Sequence, residues 1–321
     1  FKKEILTCSG TAEERLAAYS VVDRGQGRGA VLDTYTALVA ATVGVLPTIK
    51  KLFGKIIISG STISKLQQIA TEMTAFPGSG ISVDWHDNQF IKYETGEQQK
   101  REQLQSLIKS VKELKAYCEV VNYSFPEFID GMTSQIMGIT GPVPFEAYFL
   151  ARQNNNIFIS EDGYSRAYAK ALQEVSDSAW LQPIVDVAFN RHQISLDEYC
   201  KFIVSIAQHR HSHVTLTMVT AMRIFDLDKT ESLQEFGAVS KYIGIKNSDI
   251  ASHFQLVESF LQARWPYGEE PEFKVLKGTG ILLENFSRIP GSLVFLKNNF
   301  KKISPQLTKY IDGWLDGHFF N

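Results

Sequence analysis

The alternation of short apolar runs with helix-forming segments constrains the fold of residues 27–178 more than any other feature of the chain. Four runs predict strands: "AVLD", "KIIIS", "CEVVN" and "IFIS". The segments between them predict helices: "TYTALVAATVGVLPTIKKLFG" with a break at Pro47, "STISKLQQIATEM", "GEQQKREQLQSLIKSVKELKAY" and "PFEAYFLARQ". The stretch "ISVDWHDNQFIKYE" predicts a hairpin that turns at Asp87 and Asn88. Alternation at this spacing predicts an α/β fold in which helices flank a parallel sheet.

The two ends of the chain lack this alternation of predicted strands and helices. Residues 179–321 are predicted to be mostly helical; the clearest helix begins with a capping box of Ser195 and Glu198. Residues 1–26 are interpreted as an N-terminal segment and linker, with "RGQGRG" (24–29) as a flexible joint. Because the chain starts with Phe1 rather than Met, we expect a domain to precede it.

Composition excludes few classes of protein. The net charge of −2 over 321 residues shows no strongly basic surface, although it does not exclude a nuclease. Cys8, Cys118 and Cys200 are far apart and lack metal-ligand spacing, so we expect incidental thiols in a reducing compartment. Since no apolar run reaches the roughly 18 residues of a membrane helix, we expect a cytoplasmic protein with no membrane partner.

Acidic residues recur where predicted strands meet helices. Asp33 ends "AVLD", Glu146 opens the helix "PFEAYFLARQ", and Glu161 and Asp162 follow "IFIS". Each of these acids could simply cap a helix. Together they could converge at the carboxyl edge of a parallel sheet, where open α/β folds bind ligands. Clustered carboxylates favour Mg²⁺ or Mn²⁺, which can activate water for attack on a phosphodiester.

Three stretches of the chain resemble the PIN-domain family. They are "AVLDTYTALVAATVG", "GKIIISGSTISKLQ" and "VPFEAYFLARQNNNIFISEDGYSRAYA". The segment from Trp180 to Thr217 is similar to the tail of a bacterial PIN-like group with a helical C-terminal extension, so the resemblance covers roughly residues 27–220. It implies a metal-dependent endoribonuclease with Asp33, Glu146 and Asp162 as catalytic residues and metal ligands, Glu161 as a further ligand, and Mg²⁺ or Mn²⁺ as cofactor.

The resemblance also implies partners. RNA, including single-stranded RNA, would be the substrate, and the chain could be the effector of a bacterial defence or toxin-like protein. A homo-oligomer and an upstream helical-repeat domain in the full-length protein are the protein partners that we consider. Arg166, one turn beyond Asp162, could contact the scissile phosphate or be a solvated helix residue.

One position departs from the family pattern. The family carries an acid early in its second helix, where this chain has Lys65, and Glu72 lies about two turns further on. Lys65 could contact a substrate phosphate, or it could indicate a site that has lost its metal. The alternative hypothesis is therefore a catalytically degenerate PIN-like fold that acts as a protein-interaction or regulatory module.

A histidine-rich stretch, "HRHSHV", offers a second candidate metal site. His209, His211 and His213 would share one face of a strand, as zinc ligands can. Because no acid or cysteine lies nearby at ligand spacing, we favour an exposed polar strand face.

Overall fold

The computed structural model describes residues 5–75, 80–86, 89–125, 129–173, 175, 177–209, 211–245, 249–265 and 271–319. The chain divides into two compact units. The first unit comprises Phe1–Thr7 and Leu16–Ile194, and the second comprises Cys8–Arg15 and Ser195–Asn321. The sequence placed the end of the α/β domain at residue 178, whereas the first unit extends to Ile194.

A five-stranded parallel sheet forms the centre of the first unit. The strands found among the described residues are β1 (Ala30–Leu32), β2 (Ile56–Ser59), β3 (Gly80–His86), β4 (Gln89–Thr95), β5 (Glu119–Val121), β6 (Ile157–Ile159) and β7 (Ser178–Ala179). The sheet order is β5-β2-β1-β6-β7, and each neighbouring pair is parallel. Every residue of β1, β2 and β6 is buried, as expected for central strands covered by helices. The predicted α/β class is therefore confirmed, and β7 is an additional strand.

Helices of the first unit connect and cover these strands. They are α1 (Ala12–Arg24, which starts in the second unit), α2 (Thr34–Thr42), α3 (Leu46–Phe53), α4 (Gly60–Ala75), α5 (Glu97–Tyr117), α6 (Gly131–Thr140), α7 (Val143–Gln153), α8 (Gly163–Gln173) and α9 (Leu181–Asn190). The break predicted at Pro47 is wrong in detail: the helix stops at Thr42, and Pro47 lies in the first turn of α3. Proline lacks an N–H, and the first turn needs no such donor, so Pro47 starts a helix here.

The hairpin is the second sheet of the first unit. β3 and β4 pair antiparallel with His86 opposite Gln89. The predicted turn residues Asp87 and Asn88 lie outside the described residues. The hairpin itself is confirmed.

The segment 24–29, interpreted from sequence as a flexible joint, is an anchored turn. The backbone N–H groups of Gly27 and Gly29 donate to carbonyls at the end of α3, and both glycines have positive φ. The Arg28 guanidinium donates to the Asn155 carbonyl at 2.8 and 2.9 Å. The prediction of a flexible joint was therefore wrong, because glycine here provides a left-handed backbone conformation and close packing.

The second unit is helical, as predicted. Its helices are α10 (Leu196–Gln208), α11 (Met218–Leu227), α12 (Gln234–Ser240), α13 (Ile250–Arg264), α14 (Phe273–Phe286), α15 (Ser292–Asn298) and α16 (Pro305–Phe319). The predicted capping box of Ser195 and Glu198 begins α10. Buried Phe225, Phe236 and Phe260 join α11, α12 and α13, with ring centroids 5.1–5.4 Å apart.

The histidines of the second unit do not form an exposed strand face. His209 ends α10 with its Nδ1 2.7 Å from the Ser205 carbonyl, and His211 is buried. Burial lowers the pKa of His211 to about 4, and His209 contributes in the same direction. His213 packs against Gly10. The predicted strand face was wrong because the chain leaves α10 at His209 and turns inward.

Within the described residues, no single helix is both long and apolar enough to cross a membrane. Only α2 and α3 taken together reach that apolar length, and their axes are bent by 114°.

Candidate functional site at the carboxyl edge of the sheet

Three neighbouring strands end at one edge of the sheet and place polar side chains there. Leu32 of β1 is paired with Ile159 of β6, so the next residues, Asp33 and Ser160, lie level. Ser59 ends β2 on the other side of β1. The carboxyl edge of the sheet therefore carries the first predicted acid between two serines, as the strand-end pattern indicated.

Asp33 starts α2 and lies close to a second acid. Its Oδ1 accepts the Thr36 backbone N–H at 2.7 Å, so Asp33 is the N-cap of α2. Burial raises the pKa of Asp33, hydrogen bonds from Ser160 and Thr36 lower it, and the charge of Asp162 raises it further. The net pKa is raised, because burial outweighs the hydrogen bonds. A carboxylate in this state is stabilised by any cation that reaches it.

Asp162 lies at the start of α8 and has partners on both carboxylate oxygens. Oδ1 accepts the Tyr164 backbone N–H at 2.9 Å, and Oδ2 accepts the Ser165 hydroxyl at 3.2 Å. Its own N–H donates to the Ser160 hydroxyl at 3.1 Å. Asp162 is therefore a helix cap. A carboxylate has about four lone-pair positions, so these two hydrogen bonds leave acceptor capacity on each oxygen.

Glu161 is turned into the interior of the first unit. It is 1% exposed, and its Oε1 accepts the backbone N–H of Leu181, the first residue of α9, at 2.6 Å. Burial raises the pKa of Glu161 to about 7, against the opposing effects of Leu181 and Arg166 and with a contribution from Asp33. Glu161 thus joins the acid-bearing turn to α9, and this is a structural position rather than an open metal-ligand position.

Arg166 is buried too, and its guanidinium is engaged by the chain itself. It donates to the carbonyls of Ser160 and Thr7, and it lies 4.9 Å from the centroid of the Trp180 ring. Of the roles considered from sequence, a solvated helix residue is wrong because Arg166 is only 7% exposed. Contact with a substrate phosphate is not supported either, because these carbonyls hold the guanidinium inside. Arg166 holds the turn that carries Glu161 and Asp162.

Glu146 reaches the carboxyl edge through hydroxyl groups. It lies in the first turn of α7 and accepts the Ser61 hydroxyl at 2.5 Å. Ser61 is 2.9 Å from Ser59, Ser59 is 3.1 Å from Thr62, and Thr62 is 2.8 Å from Thr34, the residue after Asp33. We call Ser61, Ser59, Thr62 and Thr34 the hydroxyl chain. It connects Glu146 to the end of β1 across three elements.

Lys65 is exposed on α4, one turn beyond Ser61. Its Nζ is 3.4 Å from Oε1 of Gln68 on the same helix. Glu72 bonds Gln68 as well, at 2.8 Å. On α4, the Ser61 hydroxyl contacts a predicted acid, Glu146, whereas Lys65 contacts Gln68.

The carboxylate groups at the carboxyl edge suit a hard divalent cation that keeps several bound waters. Asp162 is close enough to Asp33 for its charge to raise the pKa of Asp33. Mg²⁺ commonly binds through one or two carboxylates and keeps several waters, so this pair fits Mg²⁺ or Mn²⁺. Among the described residues, no group of three or more His, Cys, Asp or Glu could hold a metal ion. The four acids named from sequence are therefore not brought together as one cage.

Sequence reasoning missed the hydroxyl groups around these acids. Tyr148, two residues after Glu146, hydrogen-bonds Ser165 and interacts electrostatically with Asp33 and Asp162. Burial raises the pKa of Tyr148 to about 12, so its phenol stays protonated and can donate. A signal was present: "DTYT", "SGST" and "SED" each place hydroxyl residues directly at a strand end.

Comparison with family models gives a match to part of the chain. Residues 31–171 match the model of a family described as the PIN domain associated with the TPR-GreAB-C-PIN system. Comparison with curated proteins and with solved structures gives no match. The matched residues run from β1 to α8 and include Asp33, Glu146 and Asp162. The chain is therefore similar to the PIN domain family over residues 31–171.

Proposed function

We propose that this chain is a metal-dependent ribonuclease of the PIN type, with Mg²⁺ or Mn²⁺ held by Asp33 and Asp162. The supporting observation is the pairing of these two carboxylates at the carboxyl edge of the parallel sheet, where the charge of Asp162 raises the pKa of Asp33. Two acids that repel each other in a partly dry site are stabilised by a divalent cation.

Each residue has a distinct role in this proposal. A bound cation would supply an activated water and neutralise charge on the phosphodiester. Asp33 and Asp162 hold their positions as caps of α2 and α8, which reduces the cost of ordering them. Glu146, oriented by Ser61, is the carboxylate that accepts a proton from the attacking water. The Ser165 hydroxyl donates to Asp162, and Tyr148 of α7 hydrogen-bonds Ser165.

The setting of this reaction is part of the same proposal. The matching family is described as associated with a TPR-GreAB-C-PIN system. TPR segments are repeats of helix pairs, which suits our expectation of an upstream helical-repeat domain. We place the reaction in the cytoplasm, as a bacterial effector acting on RNA.

Substitution of Asp162 by Asn tests the proposal. Asn matches Asp in size and capping ability, so α8 should still begin at Gly163 and the melting temperature should hardly change. The charge that holds the cation is lost. Cleavage of single-stranded RNA in Mn²⁺ should fall by more than about 100-fold, above what substitutions of outer-shell partners of a metal ligand cost. The measurement is cleavage of an end-labelled RNA, with and without a chelator.

Asp249→Asn is the matched control. Asp249 caps α13 in the second unit and accepts the Ala251 N–H at 3.0 Å, so the substitution makes the same chemical change at a helix start. It should leave cleavage unchanged. Equal cleavage by wild type and Asp162→Asn would remove Asp162 from the site.

The second candidate function is a non-catalytic PIN fold that binds a protein partner. Two observations favour it: no three-ligand metal group is found among the described residues, and the hydroxyl group of Ser61 is the group of α4 that meets Glu146. Wild-type protein that cleaves neither RNA nor DNA in Mg²⁺ or Mn²⁺ would support this candidate. Metal-dependent cleavage that Asp33→Asn abolishes would exclude it.

A further inference from the structure

The outward face of α8 carries large aromatic side chains. Tyr164 is 66% exposed and Tyr168 is 40% exposed, and they are one turn apart. Ala167 and Ala171 are exposed and fall on the same stripe, because residues at i, i+3, i+4 and i+7 share one helix face. The opposite side of α8 buries Arg166 and Ala169. The helix thus presents two tyrosine side chains, with alanines beside them, to solvent.

This stripe is continuous with the carboxyl edge of the sheet. The Tyr164 N–H donates to the Asp162 carboxylate at 2.9 Å, so the first ring belongs to the residue that Asp162 caps. Tyr168 interacts electrostatically with Tyr148, which itself lies beside Asp33 and Asp162. Tyr164 therefore lies next to Asp162, and Tyr168 lies one turn further from it along α8.

We propose that Tyr164 and Tyr168 form a stacking platform for the bases of single-stranded RNA next to the scissile phosphate. This rests on the proposed nuclease function and assigns the part of the substrate that it needs beyond the phosphate. One turn of helix separates the rings by about 6 Å along the axis, so they can contact nearby nucleotides of one strand.

The chemistry of the stripe favours an unpaired strand. Bases of a duplex stack on each other, whereas an unpaired strand offers base faces to aromatic side chains. Every base has such a face, so the platform should tolerate sequence changes.

The test is binding of fluorescein-labelled oligouridine and oligoadenosine to the full chain, measured by anisotropy. A chelator is present, so cleavage is stopped and the result does not depend on the metal site. Tyr164→Ala and Tyr168→Ala should each weaken binding by about 5- to 100-fold, the range for loss of one aromatic stacking partner. Tyr164→Phe and Tyr168→Phe keep the ring and should retain most of the affinity.

The controls separate this proposal from the nuclease proposal. Phe273→Ala removes a ring that is 77% exposed on α14, and it should leave binding unchanged. Loss of binding in the alanine variants, in a protein that cleaves nothing with metal, would support the platform and overturn the nuclease. Unchanged binding by the Tyr164→Ala/Tyr168→Ala double variant would overturn the platform, even if wild-type protein cleaves RNA. The platform would also be overturned if the double variant lost duplex RNA binding to the same degree.

Discussion

Adjacent acids of this chain have opposite environments. Asp162 is half-buried at the start of α8, with a serine hydroxyl and a backbone N–H as partners. Glu161, the preceding residue, is buried and bonds Leu181, which is 20 residues further along the chain. The sequence "SED" cannot distinguish these two environments, because the partner that decides the role of Glu161 comes from another helix. The burial of Glu161 should be measurable as a pH dependence of the free energy of unfolding.

Glu161→Gln should stabilise the protein at alkaline pH. Glu161 has an unfolded-state pKa of 4.5 that folding raises to about 7, so the folded state binds more protons in that window. The free energy of unfolding of the wild type therefore falls as pH rises from 4.5 to 7. Gln has no charge to bury, and its amide oxygen still accepts the Leu181 N–H. The variant should gain up to about 3 kcal/mol relative to wild type between pH 4.5 and pH 8, measured by urea denaturation.

Glu198→Gln is the control with the opposite sign. Hydrogen bonds from the Ser195 backbone N–H and hydroxyl hold the pKa of Glu198 below its usual value. Any stability that Glu198 contributes is present above the unfolded-state pKa and is lost as pH falls through the folded pKa. Glu198→Gln should therefore lower the free energy of unfolding at neutral pH and leave it unchanged in acid. A difference between Glu161→Gln and wild type that does not change with pH would contradict the buried, raised-pKa position of Glu161.

Proline and glycine set where helices and turns of the first unit begin and end, and their roles can be predicted from sequence only in part. Pro47 was expected to end a helix and instead lies in the first turn of one. The glycines of 24–29 were expected to loosen the chain, and they form a turn hydrogen-bonded to the end of α3. Proline restricts φ, and glycine permits positive φ. Contacts with residues distant in the sequence decide whether such a residue ends a helix, starts one or holds a turn in place.

A series of glycine-to-alanine substitutions tests the turn. Gly29 has φ +91°, and an added Cβ would lie 2.8 Å from atoms of Asn156 and Lys55. Gly27 has φ +74° with nothing within 4 Å of an added Cβ. Gly29→Ala should cost about 2–3 kcal/mol, from backbone strain and steric overlap together. Gly27→Ala should cost about 1 kcal/mol, from backbone strain alone.

Gly131→Ala completes the series as its control. Gly131 begins α6, an added Cβ there has nothing within 4 Å, and no positive φ is found at this position. Its substitution should leave the free energy of unfolding within about 0.5 kcal/mol of wild type. Equal costs at the three glycines, measured by chemical denaturation, would show that the turn is as flexible as the sequence suggested.

For the whole molecule, what could be predicted depends on the distance between interacting residues along the chain. The strands β1, β2, β5 and β6 were predicted because a short apolar run and the helical segments around it carry local signals. Asp33 and Asp162 could be named because parallel strands deliver their ends to one edge. The bond from Glu161 to Leu181, the carbonyl contacts of Arg166 and the hydroxyl chain depend on partners that no local pattern contains. For the same reason β7, a two-residue strand, and the division after Ile194 were not foreseen.

Two fragments test where the PIN-containing unit ends. The fragment 27–178 has the boundaries predicted from sequence, whereas 1–194 contains the whole first unit. The shorter fragment lacks Leu181 as partner of Glu161, Trp180 beneath Arg166, and the Thr7 carbonyl that accepts from Arg166. It would leave a buried carboxylate and a buried guanidinium with fewer partners, which costs several kcal/mol. We expect 1–194 to unfold cooperatively in urea and 27–178 to lack a cooperative transition. If 27–178 unfolded with the same midpoint and slope as 1–194, Glu161 and Arg166 would not hold the acid-bearing turn, and Asp162 would owe its position to α8 alone.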